Sequence, residues 1–302
     1  FIKNEEDLNK YIKEKITNKD KYYIFLDEIQ SVESWEKAVN SFKASLNVSI
    51  FITGSNSDLL SGELATHIAG RYVSFKIYPF SFKEVCEFKN PLNNEEKEIL
   101  FNDYIIWGGM PQRYMFTNEE MVKTYLRDIY DSIILKDIIQ RFKIKEVDLF
   151  NRIIEYIVTT PAQTLSVTNL SSYFLNKDNR SVSSETIYNY LDYMVRSLLI
   201  NKCDKYDIRG KRILNGKYKY YLTDLGLGQV NNTGKRPQIG AYLENIVYNE
   251  LISRDYDVFV GSTLKGEVDF IATKHDEKIY IQVAYILADE NVIKREFGVF
   301  NS

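Results

Sequence analysis

The sequence has two cysteines and two histidines in 302 residues, and none of the four stands near another. Cys86 and Cys203 form no spaced motif, which excludes a disulfide framework and points to a reducing, cytoplasmic interior rather than secretion. His67 and His275 are equally isolated, so no His/Cys constellation for a structural metal exists. No apolar run approaches a membrane span and no signal peptide is visible, so no membrane partner is expected. A surplus of one charge is lacking too. The net charge of -3 argues against global attraction to nucleic acid, while leaving room for a local basic patch. The last absence concerns chemistry. Nothing matches G-x-x-x-x-G-K-[ST], no other Gly-rich phosphate loop replaces it, and Gly108-Gly109 lies in the wrong context. The first residue is Phe1 rather than Met, and the chain reads as a fragment.

What is present is an ordinary globular composition, 44% hydrophobic and 27% charged, with length enough for two or three domains. The organising stretch is Tyr22-Tyr23-Ile24-Phe25-Leu26-Asp27-Glu28-Ile29-Gln30, an apolar run that ends in two adjacent carboxylates. Such a run suits a strand buried on both faces of a parallel sheet, and acids at its carboxyl end sit where α/β proteins bind ligands. In a nucleotide hydrolase the first acid orients Mg²⁺ and the second polarises the attacking water; the plainer alternative is a core strand that runs out into solvent at Asp27.

Before this strand, Leu8, Ile12 and Ile16 mark a short amphipathic helix. After it, Trp35, Val39, Phe42 and Leu46 mark a second helix, and Val48 to Thr53 is another apolar strand running into Gly54-Ser55-Asn56-Ser57. A strand–helix–strand unit of this length implies a parallel crossover, which sets Ser55 and Asn56 beside Asp27 and Glu28. A polar residue there can sense a γ-phosphate or hold the attacking water, and it can equally N-cap a following helix. Tyr72 to Ile77 is a third candidate strand, preceded by Arg71, which either points at a phosphate or is structural.

Tyr23 to Gln30, Trp35-Glu36, Ile52 to Ser57, Ala69 to Tyr72 and Pro79-Phe80-Ser81-Phe82 together resemble the bacterial and archaeal AAA-type ATPases that carry a C-terminal domain of unknown function numbered 4143. The resemblance implies that Asp27-Glu28 is the Walker B pair and that Gly54 to Ser57 is the sensor-1 end of the next strand. It implies ATP and Mg²⁺ as cofactors of the full-length protein, with Asp27 holding Mg²⁺ through water. It places the phosphate loop upstream of Phe1, so this chain by itself is expected to bind neither. Assembly into homo-oligomers is compatible with it.

Residues 91–145 read as a helical linker, with the Trp107 to Pro111 turn as a chain reversal and Asn118 to Gln140 as a long helix. Residues 146–225 look like a winged helix-turn-helix: three helices, the third carrying Ile187, Leu191, Met194 and Leu198, then the strands of a wing. The wing gathers Lys202, Lys205, Arg209, Lys211, Arg212, Lys217 and Lys219, a strip able to neutralise DNA phosphates without reading sequence. The third helix has few base-reading side chains, so a structural connector stands beside the DNA-binding reading.

The order helix, strand, strand, strand in residues 238–302 resembles the restriction-endonuclease-like nucleases. There a helix acid, a strand-start Asp and an acid-x-Lys hold metal and activate water. Glu244 and Asp269 match the first two, but Gln282 stands where the second acid belongs and Ala284 where the lysine belongs. A neutral amide is a weak ligand for Mg²⁺ and alanine cannot orient water, so nuclease activity is not expected. The expected architecture is thus α/β: a partial P-loop ATPase (ASCE-type) parallel sheet over residues 1–90, then the linker, the winged unit and a degraded nuclease-like domain. The expected function is ATP hydrolysis in the full-length form. The alternative is a nucleic-acid-binding module with the ATPase part as scaffold.

Overall fold

The computed structural model describes residues 2–55, 72–178, 180–231, 238–263 and 266–285. Two compact units divide the chain: 1–76 with 196–198, and 77–195 with 199–302.

In the first unit, helix α1 (Glu5–Lys15) starts at Asn4, whose side chain accepts the Asp7 N–H. Its acids fall in the first turn and its lysines in the last, as the helix dipole favours. Strands β1 (Tyr22–Leu26) and β2 (Val48–Ile52) pair in parallel, Tyr22 opposite Val48 through Leu26 opposite Ile52, with α2 (Trp35–Ser45) as the crossover. Leu8, Ile24, Leu26, Trp35, Val39 and Phe42 form the core on one face. The other face is bare among the described residues: Tyr23 and Phe25 are 61% and 72% exposed, and the Phe25 and Phe51 rings stack at 4.9 Å. The strand expected to be buried on both faces is therefore covered on one, although its side chains are apolar on both. The expected strand Tyr72 to Ile77 is not formed. No described strand pairs with it, and Tyr72, Val73, Phe75 and Ile77 remain exposed.

The second unit opens with α3 (Phe82–Lys89), started by a capping box in which Ser81 and Glu84 satisfy each other's backbone N–H. Helix α4 (Asn94–Trp107) ends at Gly108, and α5 (Glu119–Ser132) runs on into a widened π-helical stretch, Ile133–Gln140. Then come α6 (Val147–Thr159), the two-residue β3 (Thr164–Leu165), α7 (Val167–Asp178) and α8 (Ser184–Arg196). Leu126, Ile138, Phe150, Ile153, Phe174, Ile187 and Met194 close one core among them. Strands β4 (Ile200–Asp207) and β5 (Arg212–Leu222) form an antiparallel hairpin with a bulge at Asp204/Lys205. The short helix α9 (Leu225–Gln229) and α10 (Ile239–Ser253) lead to β6 (Asp257–Ser262), β7 (Glu267–Lys274) and β8 (Glu277–Ile281).

The sequence pattern suggested the strands of a wing, and the hairpin they form is internal to a larger sheet. The strand order is β3-β5-β4-β6-β7-β8, with β4 pairing in parallel to β6 across Lys205–Asp207 and Val260–Ser262. One sheet thus runs from the helical region into the C-terminal strands. Helix α10 covers it: Tyr248 stacks on Tyr221 at 4.1 Å, and the fully buried Asn245 amide bonds both the N–H and the C=O of Leu222 at 2.8 Å.

The end of β5 is pinned to the Gly108-Gly109 turn by Asp224. Its carboxylate is buried and accepts the Gly109 N–H at 2.6 Å and the Gly226 N–H at 2.8 Å. Arg113, 3% exposed, donates to the Gly108 carbonyl, the Tyr114 hydroxyl and Asp103. A Cβ on Gly109 would come within 2.0 Å of the Phe80 carbonyl oxygen, which is why the turn takes glycine.

Candidate functional site

Strand β1 stops at Leu26 and β2 at Ile52, so their parallel register sets Asp27 beside Thr53 at the carboxyl edge of the pair. The Thr53 N–H bonds the Leu26 carbonyl at 3.0 Å, prolonging the ladder by one residue. Its hydroxyl donates to the Asp27 carboxylate and accepts the Glu28 N–H at 3.4 Å. Glu28 adopts a left-handed backbone, φ 49° and ψ 42°, uncommon for a residue with a side chain. Its carboxylate receives the Ser55 hydroxyl at 3.2 Å and the Gln30 amide, while Ser31 bonds its carbonyl at 2.9 Å. Two adjacent carboxylates, each held by a neutral donor and open to solvent, are the result.

This arrangement brings together three of the sequence-identified residues, Asp27, Glu28 and Ser55. Asn56 and Arg71 lie outside the described residues. It adds two that the sequence reading did not single out for a role, Thr53 and Gln30. The signal for Thr53 was its register position, one residue past β2 as Asp27 is one past β1. For Gln30 no local signal exists, because its contact arises from the turn at Glu28. The donor set suits a hard cation with its water shell at Asp27, where oxygen ligands are required, and a proton acceptor at Glu28.

In the C-terminal part, Glu244, Asp269 and Gln282 gather as the sequence suggested, but around a lysine. Lys219 is 6% exposed, with its ammonium 2.9 Å from Glu244 Oε1 and 2.5 Å from Glu267 Oε1. Lys205 bonds the other oxygen of Glu267, and Tyr221 donates to Glu244 at 2.8 Å. Asp269 accepts the Val283 N–H at 2.7 Å, and the Gln282 side chain accepts the Asp269 N–H at 3.3 Å. Burial pushes the Asp269 carboxyl up to about 6 against the pull of the Val283 N–H, with Glu244 adding to the rise. Against the opposing effect of burial, Lys219 and Lys205 hold Glu267 below the ordinary carboxylate range. A catalytic metal does not fit this set. The lysine already neutralises the acids, Gln282 spends its oxygen on a backbone N–H, and no three His, Cys, Asp or Glu among the described residues converge to hold an ion.

The basic strip divides accordingly. Lys205 and Lys219 turn inward to these acids, and Lys202 lies over the Tyr218 ring at 3.7 Å with Asp204 alongside. Inward-facing lysines meet carboxylates because an unpaired buried ammonium is costly, and that removes them from a phosphate-binding surface. Arg209, Lys211 and Arg212 stay exposed at the hairpin tip, and the Lys217 side chain lies outside the described residues.

No helix among the described residues is long and apolar enough to cross a membrane. Residues 2–86 match the family described as an AAA domain, and residues 98–235 match a domain of unknown function, DUF8612, in place of the domain numbered 4143 that the sequence suggested. An uncharacterized protein of Haemophilus influenzae is 40% identical over 288 residues, covering 94% of this chain and 71% of that protein. The uncharacterized protein MJ1544 of Methanocaldococcus jannaschii is 31% identical over 298 residues, 95% of this chain and 66% of that protein. The chain therefore spans about two thirds to seven tenths of the length of these relatives. Among solved structures, the Walker-type ATPase PABY2304 of Pyrococcus abyssi aligns with a TM-score of 0.44 at 14% identity, over 75% of this chain and 66% of that one. This chain, whose residues 2–86 match an AAA domain, belongs to one family with the uncharacterized Haemophilus influenzae protein.

Proposed function

We propose that the protein is an ATP-binding and ATP-hydrolysing enzyme in its full-length form, and that Asp27 and Glu28 are the water-activating half of its active site. The observation that carries this reading is the placement of Asp27, Glu28, Thr53 and Ser55 at the carboxyl edge of two adjacent parallel strands, interlocked by hydrogen bonds. When bound, Mg²⁺ with ATP supplies a polarised γ-phosphoryl group. Asp27, oriented by the Thr53 hydroxyl, would hold the water shell of the cation. Glu28 takes the proton of the attacking water, and Ser55 or Asn56 positions that water or the γ-phosphate. Arg71 is a candidate phosphate contact. The phosphate-gripping loop is not in this sequence, so the 302-residue chain should give no saturable heat when titrated with ATP and Mg²⁺ in a calorimeter. Micromolar affinity in that titration would contradict the division of the site.

The order α6, β3, α7, α8, β4, β5 supports reading residues 146–225 as a winged helix-turn-helix, and α10 with β6, β7 and β8 supports a nuclease-like fold without nuclease activity. A second functional reading, DNA contact through the hairpin, is favoured by the exposed Arg209, Lys211 and Arg212 at its tip. Three phosphate contacts give weak binding that falls steeply with salt, by roughly the 2.7 power of its concentration. A duplex should shift at low ionic strength and not after Lys211→Glu with Arg212→Glu. No shift by the native chain at low salt removes this reading.

A further inference from the structure

Two carboxylates meet at one buried ammonium, with a third, Asp269, two residues along the strand from one of them. Glu244 comes from α10, Glu267 and Asp269 from β7, and the only groups of opposite charge bonded to them among the described residues are Lys219 of β5 and Lys205 of β4. Lys219 is the deeper of the two. Its ammonium bridges Glu244 Oε1 at 2.9 Å and Glu267 Oε1 at 2.5 Å, and Tyr221 fills a further lone pair of that same Glu244 oxygen. Carboxylates only accept hydrogen bonds when ionised, so acids drawn together away from water need positive charge between them. An ammonium with three donors and a hydrated divalent cation meet that need in the same position. We infer that Lys219 is a built-in cation, its ammonium standing between Glu244 and Glu267 where a divalent metal ion would otherwise bind, so that the C-terminal fold holds its acids together without metal.

Two neighbouring features fit this assignment. Gln282 adds no charge and is engaged with the Asp269 backbone, so the cluster carries fewer negative charges than a site built for a free ion. Lys219 also lies on the strand shared by the helical region and the C-terminal sheet, with Cys203 of β4 and Thr164 of β3 as its register partners. The internal cation thereby ties α10 and β7 to the hairpin. It does so independently of whether the N-terminal unit hydrolyses ATP.

The test is thermal unfolding of the whole chain and of Lys219→Ala, each in EDTA and in millimolar Mn²⁺. The native chain should melt at the same temperature in both. The variant should melt several degrees lower in EDTA and regain much of the loss in Mn²⁺, saturably, with one ion bound per chain. Adding Glu244→Gln to the variant should abolish that recovery. If Lys219→Ala is isolated unfolded, return of the native circular dichroism on adding Mn²⁺ carries the same meaning. Saturable Mn²⁺ binding by the native chain that Glu244→Gln removes would overturn the assignment. So would a Lys219→Ala variant, folded or unfolded, that is indifferent to Mn²⁺.

Discussion

Glu28→Gln in the protein extended to the length of its relatives lowers ATP turnover by about 100-fold or more while ATP remains bound. The magnitude is that of losing a positioned general base. The amide keeps the size of the side chain and can still bond Ser55 and Gln30, but it cannot take a proton from water. Binding by contrast depends mainly on groups that grip phosphate, and Glu28 is not one of them. The split between retained binding and lost turnover separates the catalytic reading from a structural one, since a residue that merely shaped the turn would lose both together. Filter retention of labelled ATP, measured beside phosphate release, checks it. Equal turnover in the variant and the native protein would remove Glu28 from the chemistry.

Asp224→Ala is expected to destabilise the second unit by about 2–6 kcal/mol, because two buried N–H donors, Gly109 and Gly226, lose their acceptor and each orphaned donor costs about 1–3 kcal/mol. For a chain of this size that is a fall in Tm on the order of 10 °C. The effect has a pH signature. Burial pushes the Asp224 carboxyl up to about 6, although the Gly109 and Gly226 N–H groups and Arg113 pull it down. In the unfolded chain the group titrates near its ordinary value of 3.8. The folded protein therefore binds this proton more tightly. The associated stability is fully present below about pH 4 and is lost as the pH rises through about 6. Asp224→Asn cannot titrate, so the margin in Tm by which the native chain exceeds it should shrink between pH 4 and pH 7. A margin that is constant, or that grows with pH, would contradict the assignment of the shift to Asp224.

The sequence revealed the parts of this molecule that rest on short-range order. An apolar run ending in Asp27-Glu28, a helix of the right length and a second apolar run are enough to give a parallel crossover, and the crossover alone brings Ser55 to Glu28. The helix patterns around Phe150, Phe174 and Ile187 were legible for the same reason, since a 3.6-residue period survives without knowledge of the partner. Pairings between distant strands were not legible. The outer edge of β4 meets β6 some 55 residues later in the chain, as Lys205 opposite Val260, so the continuation of the hairpin into a larger sheet could not be read locally. The division of the basic strip was hidden for the same reason. Lys219 finds Glu244 and Glu267, 25 and 48 residues away, and no local pattern says which lysines of a strand turn inward to distant acids. Tyr23 and Phe25 are a different case: their apolar run read as a strand buried on both faces, and among the described residues they are exposed.

The division of the active site is tested most directly by steady-state phosphate release from two proteins, the 302-residue chain and an extended protein of its relatives' full length. The account predicts Mg²⁺-dependent release from the extended protein and none above background from the 302-residue chain. Release from the shorter chain, or none from the extended protein, would contradict the claim that Asp27 and Glu28 are one half of a nucleotide-hydrolysing site.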